Sequence, residues 1–298
     1  MNRPSPLPLT GRGILPKAVD PPSGMLSLKN KLALDDAPSN TAPEGPAVFV
    51  PISDDNPLRV ISWPVVTILL IAANVLAFLY ELTPTGQHVA ATFAVVPTEL
   101  FGVGIFGGAA NGPHDRLAFP EGLTLITYMF LHGDPFHLIG NMLFLWVFGD
   151  NVEDAMGHGR FLLFYLLCGI AGGLVHAYSA EFGFAALLMK NPLPLAGNTG
   201  QIPLIGASAA VAGVIAAYLM LHPYVRVWVI AFRFIPLRVT ALLSLGAWIL
   251  TQFVMLLVPD VGPVAWWAHI GGIVAGAILV VIMRRKGVPL FDRPQPAA

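Results

Sequence analysis

Gly206-Ala207-Ser208-Ala209-Ala210-Val211-Ala212-Gly213 lies near the start of an apolar run, and the serine inside it asks for an explanation. Small residues let membrane helices approach closely, and a serine hydroxyl can bond back to its own helix, so Ser208 reads as packing. It reads as a nucleophile only if a base reaches it. Two further stretches bear on that choice: Ala268-His269-Ile270-Gly271-Gly272 and His137-Leu138-Ile139-Gly140-Asn141.

Composition sets the surroundings of these stretches. Of 298 residues, 55% are hydrophobic and 11% are charged, with a mean hydropathy of +0.71. Soluble domains carry about 25% charged residues. The expectation is therefore an all-α polytopic membrane protein in contact with membrane lipid. A net charge of -1 gives no reason to expect a nucleic-acid partner. The single Cys168 excludes an internal disulfide and a thiolate metal cluster, and its apolar setting suits a small buried side chain.

Residues 1–57 hold eleven prolines and no apolar period, so they read as a disordered tail. This tail has no apolar h-region, and no secretory signal is expected in it. Six stretches then approach the length of about 20 residues that a bilayer core requires: Pro64–Leu82, Phe136–Val152, Phe161–Ala180, Ile202–Leu221, Leu237–Val258 and Val264–Met283. The second ends in Asp150, Glu153 and Asp154, which places its end at the membrane interface. Phe184–Met189 is apolar but too short to span. Thr92–Gly112, broken by Pro97 and several glycines, suits a hairpin in the outer interface. With the N-terminus inside, fourteen Lys and Arg fall on the inner side and only Arg116 and Lys190 on the outer. Without the tail the balance is still eight to two, so both termini are expected in the cytoplasm.

In that topology the second, fourth and sixth stretches run the same way. At about 1.5 Å per residue, Asn141, Ser208 and His269 lie roughly 8–9 Å below the outer end of their stretches. Ala209, Gly213 and Ala217 form one ridge of small residues, and Ala268, Gly272 and Gly276 form another. Such ridges let two helices approach until serine and histidine can hydrogen-bond. The chemistry within reach is acyl transfer, with His269 accepting the proton of Ser208. No carboxylate occupies the middle of a stretch, so the reading is a Ser-His dyad. The Asn141 amide and a His137 N–H, one turn apart on one helix face, can donate to an oxyanion. Pro203 and Gly206 suggest that regular helix starts near Ser208, which leaves the Ser208 N–H as a third donor.

These residues resemble those of the rhomboid family of intramembrane serine proteases. The likeness runs over about residues 60 to 285. It is carried by Phe130-Leu131-His132-Gly133, by His137–Asn141, by Phe148–Gly157, by Gly206-Ala207-Ser208 and by Ala268–Gly272, in that order on alternate helices. The resemblance implies a six-transmembrane-helix rhomboid core with an interfacial first loop. Residues 1–57 would be a Pro-rich cytoplasmic tail, 58–285 the protease domain and 286–298 a short cytoplasmic tail. It implies a serine endopeptidase that cleaves membrane-anchored protein substrates near the outer face without a cofactor. Ser208 would be the nucleophile, His269 the general base, and His137 and Asn141 the oxyanion donors. A multi-pass protein of a bacterial plasma membrane is the expected setting.

The sequence departs from the family pattern at three points. Ala209 stands where the family has glycine, and its methyl would crowd a substrate backbone. Ala212 stands where some members place an aromatic residue against the histidine, and the Trp-Arg pair of some first loops is missing. Ala209 motivates an alternative, an inactive rhomboid-like protein that binds transmembrane clients. A transporter lined by the polar groups fits less well, because those groups cluster at one depth and the stretches show no repeat. The fifth stretch, with Leu242, Leu243, Leu245, Trp248, Ile249, Leu250 and Phe253, reads as bulky lipid-facing packing and as a lateral gate. His176 reads as a packed residue, Asn74 as interhelical glue, and Trp266 and Trp267 as interface anchors.

Overall fold

The computed structural model describes residues 49–102, 117, 119–183, 199–231, 235–258 and 264–292. Most of the Pro-rich tail, Arg116, Phe184–Met189, Lys190 and the last part of the Thr92–Gly112 stretch lie outside the described residues.

The described residues begin with strand β1 (Phe49–Asp54), followed by helix α1 (Val65–Glu81), short helices α2 (Pro84–Ala90) and α3 (Pro97–Gly102), and α4 (Glu121–Thr127). The long helices α5 (Pro135–Met156) and α6 (His158–Phe182) come next, then α7 (Ser208–Leu221). A hairpin of β2 (Arg226–Ala231) and β3 (Ile235–Thr240) leads into α8 (Ala241–Met255), and α9 (Trp266–Met283) closes the set.

A helix stands at each of the six expected stretches, but among the described residues length and apolarity alone suffice to cross a membrane in two of them, α6 and α9. A third is added if α1 and the following turn of chain, bent by 106°, count as one span. Each shorter helix has a local reason. Residues 202–207 run up to Ser208 without helix, so α7 begins late. Residues 235–240 pair in a sheet, so α8 begins at Ala241. The acids of α5 lower its apolarity at one end.

That sheet corrects the all-α expectation. Its order is β1-β2-β3, antiparallel throughout, with Val227 opposite Val239 and Trp228 opposite Arg238. The alternation was present in Val225 to Val229, where Val227 and Val229 are buried and Arg226 and Trp228 are exposed. The expected tail through residue 57 is also corrected: its final residues form β1, and Asn56 exchanges two hydrogen bonds with Asn151. At the other end, Phe291 and Asp292 donate backbone N–H groups to Met220 and Leu221. The start of the expected 286–298 tail thus satisfies two of the last carbonyls of α7. The described part of the first loop is buried under protein. Val95 pairs with Leu204, and Val95, Val96 and Leu100 have almost no exposed surface.

Helix α7 is the centre of the bundle, with residues Ala209 to Tyr218 all buried. Its closest neighbour is α9. A methyl built on Gly272 would fall 1.9 Å from the Ala209 carbonyl oxygen, and one on Gly276 would fall 2.3 Å from that of Gly213. The two predicted ridges therefore meet backbone to backbone. Asn74 donates to the Leu70 carbonyl within its own helix and also meets Tyr165 of α6.

Two acids of α5, Glu153 and Asp154, are buried. Glu153 accepts from the Val66 and Thr67 backbone N–H groups (2.9 and 2.8 Å), the Thr67 hydroxyl (2.7 Å) and His158 (2.5 Å). Asp154 accepts from the N–H groups of Arg59, Val60 and Ile61. These carboxylates fill the orphan donors at the start of α1 and of the segment that leads into it. Glu153→Ala should cost about 3 kcal/mol of stability, because several buried donors lose an ionised acceptor at once. Unfolding in detergent checks this, and a variant that melts like the wild type would refute it.

Candidate active site

Three of the four expected site residues lie in the first turn of a helix, and Asn141 lies one turn further along α5. His137 is the third residue of α5, Ser208 the first of α7 and His269 the fourth of α9. Three helix N-termini therefore bring their positive dipole ends to one region.

Local sequence builds each start. Asp134 caps α5 by accepting from the Phe136 and His137 N–H groups at 2.8 and 3.0 Å, with Pro135 at the first helical position. Helix α7 starts at Ser208 as the sequence suggested, and its first intrahelical bond runs from Val211 N–H to Ala207. The segment before Ser208 is held by Leu204, paired with Val95, and by the Gly206 N–H, which donates to the Tyr128 carbonyl at 2.9 Å. Gly206 has φ +118°, a conformation that side chains rarely adopt. A methyl there would lie 2.7 Å from the His137 ring and 3.8 Å from Ser208 Oγ. His137 and Ser208 thus flank the same point, and only glycine leaves it open.

Asn141 is buried one turn along α5, its Nδ2 3.1 Å from Nε2 of His132. Burial, and next the neighbouring His137, hold His132 down at about 4. The ring is therefore neutral at pH 7 and accepts one amide hydrogen of Asn141, leaving the second for a ligand. His132 entered the sequence reading only as part of a motif, and its position as a holder of Asn141 is visible only in three dimensions.

His269 is 8% exposed. Ser208 and His269 both lie within one turn of the contact between Ala209 and Gly272. Among the described residues no hydrogen bond joins Ser208 Oγ to His269. Such bonds are often long without substrate and tighten when it binds. The Nδ1 of His269 is instead 2.8 Å from Oε1 of Gln252, on α8. An amide, not a carboxylate, stands where a third member would be. Two indoles pack on the imidazole, Trp248 tilted and Trp266 edge-on, each with ring centroids 6.0 Å away. They cover a ring that Ala212 cannot cover. Trp266 is thus more than an interface anchor. Trp248, which also packs on Phe144, is not the lipid-facing residue expected. The outward face of α8 is formed by Leu242, Leu243, Leu250, Phe253 and Val254.

Ala209 is fully buried, and its methyl sits 2.6 Å from where a methyl on Gly172 would be. The extra carbon at position 209 is accommodated on the α6 side by the missing one at position 172.

A family model described as Rhomboid domain matches residues 120–286, a span that includes His137, Asn141, Ser208 and His269. RHOMBOID-like protein 12, mitochondrial, of Arabidopsis thaliana is 30% identical over 162 residues, 54% of this chain and 46% of that protein. Rhomboid protease GluP of Bacillus subtilis (strain 168) is 39% identical over 97 residues, 33% of this chain and 16% of that protein. Rhomboid protein 1, mitochondrial, of Saccharomyces cerevisiae is 26% identical over 156 residues, 52% of this chain and 40% of that protein. The matches span less than half the length of each of these curated relatives. Two of them carry mitochondrial names, which do not fit the expected bacterial plasma membrane.

Gly206→Ala should strain the backbone by about 1–3 kcal/mol and push His137 off its seat. A lowered melting temperature together with lost activity is the expected result. Unchanged values for both would show that Gly206 is not needed as glycine.

Proposed function

This chain belongs to the rhomboid family, and from that membership we propose that it is an intramembrane serine endopeptidase acting on transmembrane protein substrates. Membership supports intramembrane proteolysis at the family level, and the apolar helices fit a multi-pass membrane protein. The single observation that carries the reading to this chain is the seating of His137 over Gly206 beside Ser208, at the first residue of α7.

In this reading all six long helices cross the membrane and both termini lie on the more positive, inner side. Ser208 Oγ attacks the scissile carbonyl while its proton passes to Nε2 of His269. The negative charge that develops on the carbonyl oxygen meets the Asn141 amide, a His137 N–H and the Ser208 backbone N–H. Collapse breaks the C–N bond and His269 gives its proton to the leaving amine. Water, deprotonated by His269, then releases the acyl group from Ser208. The burial of Ala209 against Gly172 supports this reading over an inactive, client-binding protein.

Ser208→Ala should abolish cleavage of a transmembrane substrate and labelling by a fluorophosphonate probe, in a protein that still folds. Cleavage at the wild-type rate would remove Ser208 from the mechanism. Asn141→Ala should lower kcat by roughly 10²–10³-fold with little change in KM, because an oxyanion donor acts in the transition state. A change confined to KM would refute the oxyanion role.

A further inference from the structure

The orientation of His269 is fixed by bonds that can be followed atom by atom. Gln252 lies on the inward face of α8, 3% exposed. Its Nε2 donates to the Trp248 carbonyl at 3.0 Å. A carbonyl oxygen can only accept, so this bond settles which end of the amide is which. The oxygen Oε1 must then be the atom that faces Nδ1 of His269, at 2.8 Å. An oxygen acceptor requires a hydrogen on Nδ1. A neutral imidazole has one such hydrogen, so its Nε2 carries the lone pair.

We propose that Gln252 is a positioning residue for the hydrolytic reaction, holding His269 in the Nδ1–H tautomer that leaves Nε2 free to take the proton of Ser208. The inference rests on the protease reading above. Gln252 does for His269 what a buried aspartate does in a serine triad, which is to choose the tautomer and hold the ring. It does so without a charge that would have to be desolvated among apolar helices. The Trp248 and Trp266 rings fix the plane of the imidazole, and the amide fixes its edge. Because Gln252 belongs to α8, any displacement of that helix from α9 breaks the bond and releases the tautomer. The helix that exposes Leu243, Leu250 and Val254 on one face therefore sets the state of the general base with the other.

The test uses the full-length protein in proteoliposomes with a transmembrane peptide substrate, and compares Gln252→Met and Gln252→Glu with wild type. Met keeps the length but removes the acceptor, while Glu restores one. Gln252→Met should lower kcat about tenfold or more with KM within about twofold. Loss of the acceptor should also displace the acidic limb of kcat/KM, since the bond acts differently on the two protonation states of the ring. The ionisable groups that act on His269 are His137 from α5 and His176 from α6, and both variants leave them in place. Gln252→Glu should recover most of kcat. The ¹⁵N spectrum of histidine-labelled protein gives a readout that needs no activity. His269, assigned by its loss in His269→Ala, should show a protonated Nδ1 in wild type and a tautomer mixture in Gln252→Met.

A Gln252→Met protein that melts like wild type, with kcat, acidic limb and ¹⁵N pattern unmoved, would overturn the proposal. If the Met variant does not fold, a folded but inactive Gln252→Glu protein would overturn it too. Wild-type cleavage by Ser208→Ala, alongside a tautomer lock lost in Gln252→Met, would keep the lock and overturn only the nucleophile.

Discussion

The backbone contact between α7 and α9 is the constraint on which the rest of the structure depends. Gly272 lies against the Ala209 carbonyl and Gly276 against that of Gly213, at distances that exclude any side chain. Two parallel helices so close share a register, because a slip by one residue would drive a Cβ into a carbonyl. That register is what brings Ser208 and His269 to the same level. Helix α7 can be central only because its sequence is nearly all small or apolar. Its alanines and Gly213 let α6 and α9 close on it, and Cys168 of α6 fills the space beside Gly213. Association in a membrane depends on this kind of packing, since lipid is as apolar as the helices themselves.

Much of the site was legible because chemistry demands particular residue types at particular spacings. A serine between small residues, a histidine followed by two glycines, and a His/Asn pair one turn apart point to helices that must meet. The register of the ridges and the start of α7 at Ser208 followed from the same residues. The sheet was not read, although Val225, Val227 and Val229 alternate, because the surrounding apolar content suggested a loop between spans. β1 was hidden for a different reason. A six-residue strand beside prolines has little signal of its own, and it is stable here because β2 offers a partner edge and α5 offers Asn151 to Asn56. Gln252 and His132 were missed because neither has a recognisable partner nearby in sequence. Each acquires one only when two distant segments pack.

The first loop shows how composition alone misleads. Residues such as Val95, Val96 and Leu100 are apolar enough for an interface with lipid. They are apolar because they pack under helices and pin Leu204, which in turn holds the segment before Ser208. Burial in protein and burial in lipid select the same side chains. Only the hydrogen-bonding partner of the backbone separates the two, and Val95 finds its partner in Leu204.

The carboxylates of the bundle stand where backbone donors meet them. At the helix starts that hold Ser208, two buried contacts are neutral, His132 with Asn141 and Gln252 with His269, while the nearby Asp134 and Glu81 accept backbone N–H groups. At the far end of α5 the groups are carboxylates, and Glu153 and Asp154 each receive several backbone N–H groups. An ionised group among apolar helices is costly unless donors surround it. Those donors are available where α1 and the segment before it begin, so acids can stand there. Around His269 the side-chain contacts are two indoles and one amide, and among the described residues no set of backbone N–H groups is directed at Gln252. A carboxylate in place of Gln252 would have a single imidazole to neutralise it. The amide gives the ring its orientation at a much smaller desolvation cost. The amide beside His269 and the acids at the far end of α5 therefore follow from one rule.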